Sequence, residues 1–140
     1  PVADGDYVIC NIQSGESLLV SGTAASANNG AAGIANVNVS GTMADDYGSL
    51  TTSAENVYTF TSQGNGKYYV QHKSSGKYIS INQNNSVTLS TTPVALNVTS
   101  KTNGDIRIYN NNNVFLDLFK DVGKVFSAWA SSVTTTNASS

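Results

Sequence analysis

Cysteine is almost missing from this 140-residue chain: Cys10 stands alone, so no internal disulfide can form. A lone cysteine reads as a small buried hydrophobe in a strand, and it suits a reducing compartment better than an oxidising one. Charge is scarce as well. Only 11% of residues are charged, with seven Lys and Arg against nine Asp and Glu and a net charge of −2, where a soluble domain usually carries about 25%. The basic residues are scattered, which argues against the clustered cationic surface that nucleic acid requires. No apolar run approaches the roughly 18 residues of a membrane span, so no membrane insertion is expected. No basic start followed by an apolar stretch marks a signal peptide. Pro1 fits a product whose initiator methionine has been removed. The expected location is therefore cytoplasmic, or secreted without a visible signal.

Helical periodicity is also absent. Short runs of β-branched and aromatic residues alternate with Gly, Asn and Ser clusters, the pattern of strands and turns. The spacing predicts strands over Tyr7–Ile12, Ser17–Val20, Ile34–Val39, Val57–Thr61, Tyr68–His72, Tyr78–Ile81, Ser86–Leu89, Ala95–Thr99, Ile106–Tyr109, Val114–Phe119 and Val125–Trp129. Gly64-Asn65-Gly66, Asn103-Gly104 and Asn110–Asn113 are turn signals. The small, polar stretch Gly22–Gly33 reads as a mobile surface loop, because it offers no apolar anchor against the entropy of ordering.

The chain repeats itself. Asp6-Tyr7-Val8-Ile9-Cys10-Asn11-Ile12-Gln13-Ser14-Gly15 aligns without gaps on Lys67-Tyr68-Tyr69-Val70-Gln71-His72-Lys73-Ser74-Ser75-Gly76, and a third copy opens at Asp105-Ile106-Arg107-Ile108-Tyr109-Asn110. A second short strand follows each opening: Leu18-Leu19-Val20, Tyr78-Ile79-Ser80-Ile81 and Leu116-Asp117-Leu118. Closing strands end the first two copies at Val57-Tyr58-Thr59-Phe60 and Ala95-Leu96-Asn97-Val98. The repeats span about 6–62, 67–100 and 105–140, with Gly22–Gly33 supplying much of the extra length of the first. Three such units cannot each bury an apolar face, but around a pseudo-three-fold axis they share one core. The expected fold is a single all-β domain, a β-trefoil, with an immunoglobulin-like sandwich as runner-up. Ile9, Val70 and Ile108 should then point inward together, joined by Phe60, Leu96 and Val98.

The phrase Gly5-Asp6-Tyr7-Val8-Ile9-Cys10-Asn11-Ile12-Gln13-Ser14-Gly15 resembles the opening of a repeat in ricin-B-like fungal lectins. Within that family the chain is most similar to the lectin-like light subunits of mushroom tyrosinases and to related mannose-binding mushroom proteins. The Q-x-W phrase that closes each repeat in the family is absent from all three copies. The resemblance implies a carbohydrate-binding protein for a hexose, with mannose favoured over galactose. It also implies a sugar site built in the order Asp, aromatic, Asn, and only the third repeat supplies that order: Asp117, Trp129 and Asn137. The positions matched to Asp117 in the first two repeats are Leu18 and Ile79. A pyranose packs its C–H face on an aromatic ring while carboxylate and amide groups take the hydroxyls.

Other chemistry is poorly supplied. His72 is the sole histidine, aligns with Asn11 and Asn110, and is expected in an exposed turn with no nucleophile beside it. Asp45-Asp46 and Asp4-x-Asp6 lack the further oxygen ligands of a calcium loop, and Gly64-x-Gly66 lacks the third glycine and helix of a phosphate cradle. No enzyme activity, metal or cofactor is expected. Two alternatives to a lectin remain: a lectin-like subunit that binds a protein partner without sugar affinity, and a β-trefoil protease inhibitor using Gly22–Gly33 as its inserted loop.

Overall fold

A computed structural model describes residues 1–13, 16–39, 53–102 and 105–130. Among these residues twelve strands run in order: β1 (Gly5–Tyr7), β2 (Cys10–Gln13), β3 (Glu16–Ser26), β4 (Ala32–Asn38), β5 (Tyr58–Gly64), β6 (Lys67–His72), β7 (Tyr78–Gln83), β8 (Ser86–Ser90), β9 (Ala95–Ser100), β10 (Ile106–Tyr109), β11 (Val114–Phe119) and β12 (Val125–Ala130). A single turn of 3-10 helix, Ala54–Asn56, precedes β5.

Two sets of strands divide the work. β1, β5, β6, β9 and β10 pair in that order, all antiparallel, as the wall of a barrel. The hairpins β3–β4, β7–β8 and β11–β12 each come from one repeat and meet one another at the barrel's end. Ala32 pairs with Ser86, Val125 and Phe126 pair with Ala35 and Ile34, and the Asn85 N–H donates to the Ala128 carbonyl. Three hairpins capping one barrel are the architecture of a β-trefoil.

The core follows the repeat. Ile9, Val70 and Ile108 are 1%, 0% and 1% exposed, and they share one apolar cluster with Phe60, Leu96 and Val98. Their inward orientation fixes the strand register, because a slip of one residue would turn each side chain to the opposite face. The abundant asparagines have a backbone use: Asn65, Asn85 and Asn113 all occupy positive φ at the hairpin turns, a conformation Asn tolerates better than other side chains.

Gly22–Gly33 is not a loop. β3 runs on to Ser26 through an irregularity in the ladder between Val20 and Ala24, β4 starts at Ala32, and a tight turn joins them, with the Ala31 N–H donating to Asn29 Oδ1 at 3.1 Å. The small residues permit close packing rather than disorder. A Cβ on Gly22 would lie 2.1 Å from the His72 ring, and one on Gly33 would lie 2.2 Å from the Phe126 carbonyl oxygen. Ala27 and Ala31 are buried against Val125 of the third repeat. The extra length of the first repeat therefore divides between this longer hairpin and the connection from Asn38 to Tyr58, most of which lies outside the described residues.

His72 likewise departs from expectation: it is 2% exposed at the end of β6. Its Nε2 lies 2.6 Å from the Glu55 carbonyl, which can only accept, so Nε2 carries the proton and Nδ1 accepts from Ser75 Oγ at 2.7 Å. The aligned positions are structural too. Asn11 is buried, and Asn110 Oδ1 accepts from the Asn112 and Val114 N–H groups while its Nδ2 donates to Ile81. In the second and third copies this polar residue pins the turn that leaves the first strand.

Candidate functional site

Strict alternation along β11 builds the site. Val114, Leu116 and Leu118 enter the core, so Phe115, Asp117 and Phe119 share the outer face. On β12, Phe126 and Ala128 are core, and Val125, Ser127 and Trp129 face outward opposite Phe119, Asp117 and Phe115 respectively. Asp117 and Trp129 are thus diagonal neighbours on one surface, a relation that spans about 7–8 Å in an antiparallel pair. Trp129 is half-buried and outside the barrel core.

Rings crowd this face. Tyr109 of β10 packs on Phe115 with centroids 4.8 Å apart, and Phe119 meets Trp129 edge-on at 6.1 Å. Phe119 and Trp129 stand four positions apart in the register, on either side of the Asp117–Ser127 pair. Their contact means that the two rings lean together over that pair. Below it, Ser127 is fully buried and its hydroxyl donates to the Ala32 carbonyl at 2.7 Å, which ties the floor to the first repeat.

The carboxylate carries the consequence. Asp117 Oδ1 is buried and has no hydrogen-bond partner. Burial pushes its carboxyl up to about 6, against a smaller opposite pull from the Leu118 backbone N–H and the charge of Lys120. A half-buried acid with an idle acceptor atom costs stability unless a donor arrives. Ionised near neutral pH, it can accept hydroxyl hydrogen bonds, which a charged acceptor strengthens.

The three repeats have diverged at this place, and the match expected from sequence is off by three residues in the first repeat and by one in the second. Ile79 is a fully buried core residue equivalent to Leu116, and Leu18 is one equivalent to Val114, so the counterparts of Asp117 are Ser21 and Ser80. Leu19 is sealed beside Cys10, Val8, Ile12 and Val39. Burial pushes the Cys10 thiol up to about 11, so it stays an unreactive hydrophobe as anticipated. Ser80 donates to Asn82 Oδ1 at 2.8 Å, and the Asn82 amide donates to Ser86 and Thr88. Among the described residues, only the third repeat sets an acid among rings.

Of the remaining candidates, Asn137 and the Asp45-Asp46 pair lie outside the described residues. Asp4 and Asp6 hold β1 to its neighbours. Asp4 accepts from the Ser62 N–H, and Asp6 accepts from Thr59 Oγ1 and Lys73, which keep its carboxyl below the usual range. Phe115 and Phe119 were missed in the sequence. Their signal was the phrase Phe115-Leu116-Asp117-Leu118-Phe119, which in a strand places both rings and the acid on one side.

No protein-family profile matches the chain, and no curated protein matches it in sequence. Solved structures do. A Polyporus squamosus lectin, crystallised with the epitope Neu5Aca2-6Galb1-4GlcNAc, superposes with a TM-score of 0.68 at 12% identity, covering 99% of this chain and 48% of that one. ThreeFoil, a designed three-fold symmetric protein, gives 0.64 at 15% identity, covering 97% of this chain and 96% of the other. A mosquitocidal holotoxin gives 0.67 at 10% identity, with 99% of this chain on 17% of the toxin. The chain thus spans about half the length of the Polyporus squamosus lectin. With the three capping hairpins and the shared core, these likenesses establish the fold as a β-trefoil.

Proposed function

We propose that this protein is a lectin that binds a hexose on the outer face of β11–β12, with Asp117 and Trp129 as its principal contacts. One observation carries the reading: Asp117 Oδ1 is buried without a partner beneath half-exposed rings. A pyranose brings the two things this face lacks, hydroxyl donors for the carboxylate and an apolar C–H face for the rings. The β-trefoil likeness to a Polyporus squamosus lectin supports a carbohydrate ligand in general. Mannose is favoured over galactose on the family resemblance of the first repeat, and Asn137 is the third expected contact.

The reading is of a binding protein. His72, the sole histidine, spends both ring nitrogens on pinning a turn. The protease-inhibitor alternative loses its support, since Gly22–Gly33 forms two strands with a tight turn. A glycan array of the wild type beside Asp117→Asn tests the proposal. Hexose-terminated glycans should retain the wild type and not the variant. A blank array for both would favour the protein-partner alternative.

A further inference from the structure

Resting on that reading, we propose that the preferred ligand of the β11–β12 face is a cationic amino sugar, a pyranose with a free ammonium group. The reasoning starts from what a neutral sugar leaves undone. Its hydroxyls can donate to Asp117 Oδ1, but covering the site then buries a net negative charge among Phe119, Trp129, Phe115 and Tyr109. A buried charge is tolerated when it is both hydrogen-bonded and paired. An ammonium group supplies donors and countercharge at once. The surrounding rings add to this, because aromatic faces attract cations, Trp most strongly.

Among the described residues, nothing on neighbouring elements already fills that role. β12 bears no titratable side chain. β7 contributes Tyr78, and β10 contributes Tyr109 and Arg107. Arg107 Nε is itself buried without a partner, and Arg107 is not among the groups that shift the Asp117 carboxyl. In the turn after β11, exposed Lys120 acts on Asp117 only through space, and Lys124 is held by Glu16 at 2.8 and 2.7 Å. Trp129, the chain's single tryptophan, stands on the same face as Asp117 and reports a ligand bound there.

The test compares glucosamine, N-acetylglucosamine and glucose by calorimetry at about pH 7, where Asp117 is ionised, with tetramethylammonium chloride as competitor. Glucosamine should bind at least about tenfold more tightly than the two neutral sugars, and tetramethylammonium should displace it and perturb the Trp129 indole N–H resonance. The preference should vanish in Asp117→Asn and shrink as pH falls to about 5, where Asp117 is protonated. Trp129→Leu, which removes the best cation-binding ring, should reduce it as well. Equal affinity for all three sugars would overturn the ammonium inference and leave the lectin reading intact. Binding of none of them, with no response to tetramethylammonium, would overturn the ammonium inference, and a blank with methyl mannoside as well would overturn both.

Discussion

At Asp117 the interests of folding and of binding oppose each other. Its carboxyl is raised to about 6 by burial, so between the unfolded value near 3.9 and about 6 the folded chain holds the proton more tightly than the unfolded one. The group's favourable contribution is therefore complete below about pH 4 and is lost as pH rises through about 6. For a partly exposed side chain, solvent screening brings the neutral-pH cost to about 1 kcal/mol. Asp117→Asn should accordingly raise Tm at about pH 7 and flatten its rise toward about pH 4.5, as followed by thermal melts; an unchanged pH profile would contradict the assigned burial. The same variant should lose sugar. Trp129→Ala should weaken sugar binding by roughly 1–3 kcal/mol, the apolar contact a ring provides. A calorimetric affinity unchanged by this substitution would move the site elsewhere.

At the scale of elements, the first hairpin shows where composition misleads. Runs of Gly, Ala, Ser and Asn have little to bury, and from sequence alone Gly22–Gly33 resembles a disordered loop. Its use becomes visible only across the chain, where Gly33 abuts the Phe126 backbone and Gly22 the His72 ring. Gly33→Ala should thus cost at least about 1–3 kcal/mol in chemical denaturation, since backbone offers no yielding side chain. Ala24→Ser, exposed on the same hairpin, should stay within about 0.5 kcal/mol. The β6 to β12 strands were largely legible because alternation and Asn or Gly turns coincide there. His72 was misjudged for a physical reason as well. Polarity suggested exposure, but a backbone carbonyl and a serine hydroxyl satisfy its ring inside the structure.

Across the whole molecule, three-fold repetition makes one core and three independent outer faces. Ile108→Ala should cost on the order of 2–5 kcal/mol, since Ile108 is fully buried with its equivalents Ile9 and Val70. The repeat was readable because core positions kept their chemistry in every copy. The outer faces were harder, because Ser21 and Ser80 hold the place of Asp117 without an acid, and the match fell instead on the core residues Leu18 and Ile79. Asp117 and Trp129 were singled out by the order of acid and aromatic that the family resemblance implies, and strand alternation sets both on the outer face of β11–β12. The central claim is that this face takes a sugar. Trp129 is the chain's only tryptophan, so its intrinsic fluorescence reads the site alone. Titrating methyl mannoside should give a saturable change in intensity or emission maximum in the wild type and none in Asp117→Asn. A flat wild-type titration, or an identical one in the folded variant, would contradict the account.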